Sequence, residues 1–305
     1  MKAGFLLFAV LLLAIRASIS EVAGTPQRRI VFTRDSTLWT ANLDGTKMRK
    51  LIKGADPCIS PDGTKVAFTL SPPGGGEEVV RYIAVVEVAT GATKVFKDTP
   101  SNNCFGPVWS PDGSQLLFEI DVEHNWRLGL LNADGSGFRF FKLPDANHES
   151  GWWSLTWAPD AKSIFCQDLE KICQFGVNGD LLASWEIAKI IPKTDLSSAE
   201  RFSISEDGNK MLINTSMNGE GSLKNWEGPP PATWLFDLPS AKATRLTPKK
   251  SYTVDACWLT SSEILLVDAD KVGDQSSIYR ASIAGGTPRL VIRNGADPSV
   301  SKASP

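Results

Sequence analysis

The chain has 305 residues, with 32 lysines and arginines against 34 aspartates and glutamates, a net charge of −2 at neutral pH. That balance is no basic footprint, so nucleic acid is not an expected partner. The length would suit two ordinary domains, but repeat architectures reach it as one unit.

In chain order, residues 1–20 read as a secretory signal peptide. Lys2 gives a positive start, 5–15 is an apolar run, and Ser18-Ile19-Ser20 places small residues before a cut at Glu21. The run is too short to span a bilayer, and no cysteine follows it to carry a lipid. Cleavage removes Lys2 and Arg16 and no acid, which makes the mature chain more acidic. Export to the periplasm or outside the cell is expected, with 21–305 as a single soluble domain and no membrane span.

Strands are expected at 29–33, 38–43 and 49–52. A phrase then recurs: a short apolar strand, a tight turn and a second apolar strand. It appears as Ser60-Pro61-Asp62-Gly63, Ser110-Pro111-Asp112-Gly113, Ala158-Pro159-Asp160-Ala161, Ser205-Glu206-Asp207-Gly208 and, worn, Leu259-Thr260-Ser261-Ser262. Proline presets φ, aspartate bonds its own backbone and glycine accepts φ > 0. The copies lie 50, 48, 47 and 54 residues apart, a period that marks a β-propeller. Four strands per unit fit 57–97, 106–142, 154–186, 201–247 and 254–292. The segment 184–190 reads either as a short helix or as an outer strand running into a loop. Gly54-Ala55-Asp56-Pro57 returns as Gly295-Ala296-Asp297-Pro298, so the last strand, 297–301, should pair beside 29–33 and close a ring. The expected fold is therefore all-β, a six-bladed propeller sealed by its two ends.

With alternating strand direction, one face receives only tight turns. The other receives every long connection: 71–81, 98–105, 143–153, 187–200, 216–231 and 248–253. Binding is expected on that long-loop face around blades three and four, because the opposite loops are too tight to offer a comparable patch. Candidates there are His124 and His148, the only two histidines, with Asp121, Glu123, Asp145 and Glu149 nearby and Asp168 across the next hairpin. Trp152 and Trp153 close loop 143–153, and Trp226 sits in a Gly/Pro-rich loop; these indoles suit a sugar ring or a partner anchor. Trp109, Trp157 and Trp258 share one inner-strand register and read as packing between blades. The histidine–acid cluster reads as exposed loop residues sooner than as a metal centre, so no metal or cofactor is assigned. Of the five cysteines, Cys166 and Cys173 end and begin adjacent strands and are expected to form a disulfide. Cys58, Cys104 and Cys257 read as buried or isolated thiols.

The Ser-Pro-Asp-Gly turn before an apolar strand, with hairpins ending in Asp-Gly, resembles the TolB-type propeller repeat over nearly all of 28–301. The resemblance implies the propeller without TolB's additional N-terminal α/β domain, for which 21–28 leaves no room. It also implies an exported, monomeric scaffold that binds a protein or peptide. The alternative is a carbohydrate-active enzyme, a polysaccharide lyase or hydrolase of propeller fold, for which His124, His148, Tyr82, Tyr252 and Tyr279 are the available groups. No G-x-S-x-G, P-loop or H-E-x-x-H motif accompanies them.

Overall fold

A computed structural model describes residues 28–73, 79–143, 151–224, 226–269 and 275–302. The expected signal peptide lies outside the described residues. Six antiparallel sheets follow one another along the chain. Blade two is Ala55–Ile59, Lys65–Leu70, Tyr82–Glu87 and Thr93–Phe96. Blade three is Cys104–Trp109, Gln115–Val122, Asn125–Asn132 and Arg139–Phe140. Blade four is Trp153–Trp157, Ser163–Gln167, Lys171–Gly176 and Leu181–Glu186. Blade five is Ser203–Ile204, Lys210–Met217, Pro231–Asp237 and Lys242–Arg245, with the short Thr194–Asp195 pairing the far end of its second strand. Blade six is Thr253–Trp258, Glu263–Asp268, Ser277–Ser282 and Arg289–Ile292. Blade one is composite: Ala296–Val300 from the C-terminus lies beside Arg29–Arg34, followed by Thr37–Asn42 and Arg49–Lys53. The six-bladed ring and its closure are as expected. The segment 184–190 is both things at once, the outer strand to Glu186 and a one-turn helix, Ile187–Ile190.

The recurring turn is held by its own side chains. In blade three the Ser110 hydroxyl donates to Asp112 at 2.5 Å and accepts from the Gln115 amide at 2.9 Å, and the Gly113 amide donates to the Ser110 carbonyl. Ser60 and Ser205 repeat this with Asp62 and Asp207. The serine bond holds the Asp112 and Asp207 carboxyls below the usual carboxylate range.

The second strand of each blade is a nearly unbroken apolar run because both faces are covered. Six apolar clusters form, one at each seam between neighbouring blades. Blade one shows the alternation: Ile30 and Phe32 pack toward blade six, while Val31 packs toward blade two. Phe68, Phe118 and Phe165 are fully buried or nearly so, each worth on the order of 2–3 kcal/mol.

Turns between third and outer strands seal the seams further out. Gly179 has φ +93°, and a Cβ there would stand 2.1 Å from the Lys142 carbonyl oxygen of the preceding blade. Gly285 has φ +98° with nothing within 4 Å. Gly179→Ala should therefore cost about 3 kcal/mol, strain plus a backbone clash, against about 1 kcal/mol for Gly285→Ala. Thermal melts of the two variants check this. Equal losses would show that the blades separate freely at that turn.

Candidate functional site

Innermost strands carry a bulge near their first residues. In blade two Ala55 pairs with Thr69 and Cys58 with Ala67, so Asp56 and Pro57 oppose one residue. Blades one, three and four repeat the shift. The first bulge residues, Asp56, Gly106, Ser154 and Asp297, all have positive φ, between 49° and 64°. Only glycine adopts this freely, and aspartate tolerates it better than most residues. Counting four residues back from each hairpin turn, Arg201 and Asp255 take the same place in blades five and six. Six blades thus contribute Asp297, Asp56, Gly106, Ser154, Arg201 and Asp255 to one ring around the axis.

Blades two and five stand opposite in a six-membered ring. Arg201 reaches across it, with Nη2 3.0 Å from Asp56 Oδ1. Burial acts against the Arg201 charge, but Asp297, Asp56 and Asp255 together outweigh it and raise its pKa. Burial pushes the Asp255 carboxyl up to about 6, with Arg201 opposing and Asp297 adding to the rise. Burial and the nearby Asp255 raise Glu200 to about 8.

Beyond this ring the channel widens into a cavity of about 500 Å³. Its floor includes Asp56, Arg81, Glu119 and Arg201, its wall Cys58, Thr156 and Ser299, and its mouth Pro61, Pro111 and Pro159. The mouth therefore lies on the tight-turn face. Short turns do not reach over the axis on that face, and so leave it open. Trp109 and Trp258 brace the wall, each indole N–H donating 3.1 Å to a carbonyl of the preceding blade, Cys58 and Ser203 respectively. They are the inter-blade packing residues expected.

The residues singled out on the long-loop face are dispersed by the structure. Trp152 and Trp153 are buried, at 6% and 8% exposure, so they present no open indole pair. Trp152 packs edge-on against Phe175, and Trp153 lies tilted against Trp126. Glu123 and His124 are exposed at the two-residue tip of a hairpin, both with positive φ, so 121–125 is a tight turn and not a loop. Asp121 accepts from Asn103 at 3.2 Å, and Asp168 caps the next turn through the Glu170 and Lys171 amides. Trp226 is half-buried, donates to the Pro229 carbonyl and lies edge-on to Tyr252. Asp145, His148 and Glu149 lie outside the described residues. Among the described residues no group of three histidine, cysteine or acidic side chains is placed to hold a metal ion.

Cys166 and Cys173 are directly opposite in register, yet both thiols are free. Side chains of opposed residues stand side by side, perpendicular to the sheet, and these two pack as small apolar groups in the seam between blades three and four.

The structure is a six-bladed β-propeller, a ring of blades around a lined axial cavity. In fold it is TolB-like. TolB from Acinetobacter baumannii is similar, with 16% identity, TM-score 0.65, and 92% of this chain and 68% of that one covered. A putative TolB from Agrobacterium tumefaciens is similar at 17% identity and TM-score 0.60, covering 92% and 99%. So is an oligogalacturonate lyase from Vibrio parahaemolyticus, at 15% identity and TM-score 0.52, covering 85% and 75%. No protein-family model and no curated protein matches the sequence. Among the described residues no helix is long and apolar enough to cross a membrane.

Proposed function

We propose that this chain is an exported scaffold that binds a protein or peptide partner in the cell envelope or outside the cell, using the axial cavity. The observation that carries the proposal is the cavity itself. At about 500 Å³ it has the size of a ligand pocket, and its lining mixes apolar side chains with charged ones of both signs. The likeness in fold to TolB proteins supports a scaffold, and the pattern of residues 1–20 supports export. A lyase reading draws on the oligogalacturonate lyase neighbour, but among the described residues lining the cavity none is histidine or tyrosine.

The test fills the cavity. Thr156 lines its wall, and Thr156→Trp should abolish capture of the partner from an envelope extract while the melt stays cooperative. Trp226→Ala, on the opposite face, should leave the same partner captured. Retained capture by the filled variant, with loss in the Trp226 variant, would move the site to the long-loop face.

A further inference from the structure

Resting on that reading of the cavity, we propose that its floor receives a cationic side chain of the partner, a guanidinium or ammonium group, with Glu119 Oε2 as the acceptor. The first argument is an accounting of charge. Each cation lining the cavity already has an acceptor. Arg28 donates to the Ser301 and Leu259 carbonyls at 3.1 and 2.6 Å, and Lys302 to the Pro111 carbonyl at 3.4 Å. Arg201 is held by Asp56. Arg81 donates through Nε and Nη2 to Asn103 Oδ1 at 2.8 and 2.6 Å and lies over the Phe105 ring. Glu119 is the exception. It is 4% exposed, its Oε1 accepts from the Ser154 amide at 3.1 Å, and its Oε2 is buried without a hydrogen-bond partner. Buried acceptors are rarely left this way in native proteins.

The second argument separates the two oxygens. Oε1 does a structural job, capping the amide of the bulge residue in the next blade. Thr69 does the same job for Gly106 with a hydroxyl, at 3.1 Å. A threonine therefore suffices at this position of the fold, and the carboxyl brings a surplus buried acceptor on a residue that lines the cavity. Asp56, in the adjacent ring, adds negative potential. A guanidinium or ammonium group matches both, since it offers only donors and a positive charge.

Burial raises the Glu119 carboxyl well above its ordinary range, with Asp56 adding to the rise and Arg81 and Arg201 opposing it. In the empty site these effects favour the protonated carboxyl. An entering cation favours the carboxylate, so binding shifts Glu119 toward releasing its proton to solvent while the cation's own protons stay in place.

The experiment uses two probes of one shape, n-propylguanidinium and neutral n-propylurea, titrated into the intact protein and followed by chemical shifts of cavity residues. The guanidinium should bind the parent at least about tenfold more tightly than the urea, and its advantage should shrink as pH falls and the carboxyl takes up a proton. Glu119→Gln keeps an oxygen for the Ser154 amide and should lose the preference with an unchanged melting temperature. Glu119→Thr, which copies the threonine of blade two, should lose it as well if the glutamine variant folds poorly. Equal binding of the two probes to the parent, a preference that survives in both variants, or no shift of cavity residues would each overturn the cationic site. The cavity reading stands or falls separately, on capture by the Thr156→Trp protein.

Discussion

Truncation after Asn294 is expected to lower the melting temperature by about 10 °C or more. The lost strand, Ala296–Val300, is the innermost strand of blade one and pairs with Arg29–Arg34. It carries buried Pro298 and partly buried Ala296 and Val300, both packed in the seam with blade six. The tail also ties three blades together. Ser301 accepts from the Arg29 amide, Asp297 from the Thr33 hydroxyl at 2.6 Å, and Ser299 from the Ile59 amide of blade two. Apolar burial of two or three side chains and several hydrogen bonds sum to about 5 kcal/mol, and a chain of this size loses about 2 °C per kcal/mol. An open inner edge would further invite pairing with another chain. The check is a thermal melt with sedimentation of the truncated protein. A melt within 2 °C of the parent, on that same scale, would mean that ring closure contributes little.

The blades were legible because their signals are local and repeated. A turn such as Ser110-Pro111-Asp112-Gly113 is specified by four adjacent residues whose bonds to one another need nothing from the rest of the chain. The apolar runs that follow it state that both faces are buried. Ring closure was legible for the same reason, since the phrase around Asp56 is repeated around Asp297 and only one blade lacks an inner strand. The broken register within that phrase was not. Asp-Pro at 56–57 and 297–298 reads as the start of a strand, whereas it is a bulge that turns each aspartate toward the axis.

The site is assembled from residues of different types that are far apart in the chain. Arg201 and Asp56 are 145 positions apart and meet only because blades two and five face each other. Glu119 sits in an apolar run, Leu116-Leu117-Phe118-Glu119-Ile120, where a single acid among buried neighbours was the available signal. Loop length pointed elsewhere. It located Trp152 and Trp153 on the face with long connections, but a chain segment at the end of a loop can still enter the core, and these two do. The bulge position, counted four residues before each hairpin turn, would have collected the ring from sequence alone.

Replacing Arg201 by methionine should make stability depend on pH in a way the parent does not. Methionine keeps an apolar stem and removes the charge, leaving Asp56, Asp255 and Asp297 at equivalent places on neighbouring blades. Asp255 then loses the cation that opposes its rise and keeps Asp297 nearby, which raises its pKa in the folded state further. A carboxyl whose folded pKa lies above its unfolded value of 3.8 binds protons more tightly when folded. Its contribution is most favourable at low pH and is lost as pH rises through the folded pKa. In the parent this already holds for Asp255, whose folded value is about 6; in the variant the effect is larger. Removing one partner of a buried pair costs about 3–5 kcal/mol, but the Arg201 and Asp56 side chains are each 32% exposed, which reduces the expected cost to about 2 kcal/mol at pH 8. That corresponds to a melting temperature about 4 °C below the parent at pH 8, with the gap closing toward pH 4 as the acids are protonated. Comparing variant with parent at each pH cancels the turn aspartates, whose lowered pKa values act with the opposite sign in both proteins. Adding Asp56→Asn to the methionine variant should recover part of the loss at pH 8 and none at pH 4. A gap of the same size at both pH values would show that Arg201 acts through packing of its stem and not through its charge.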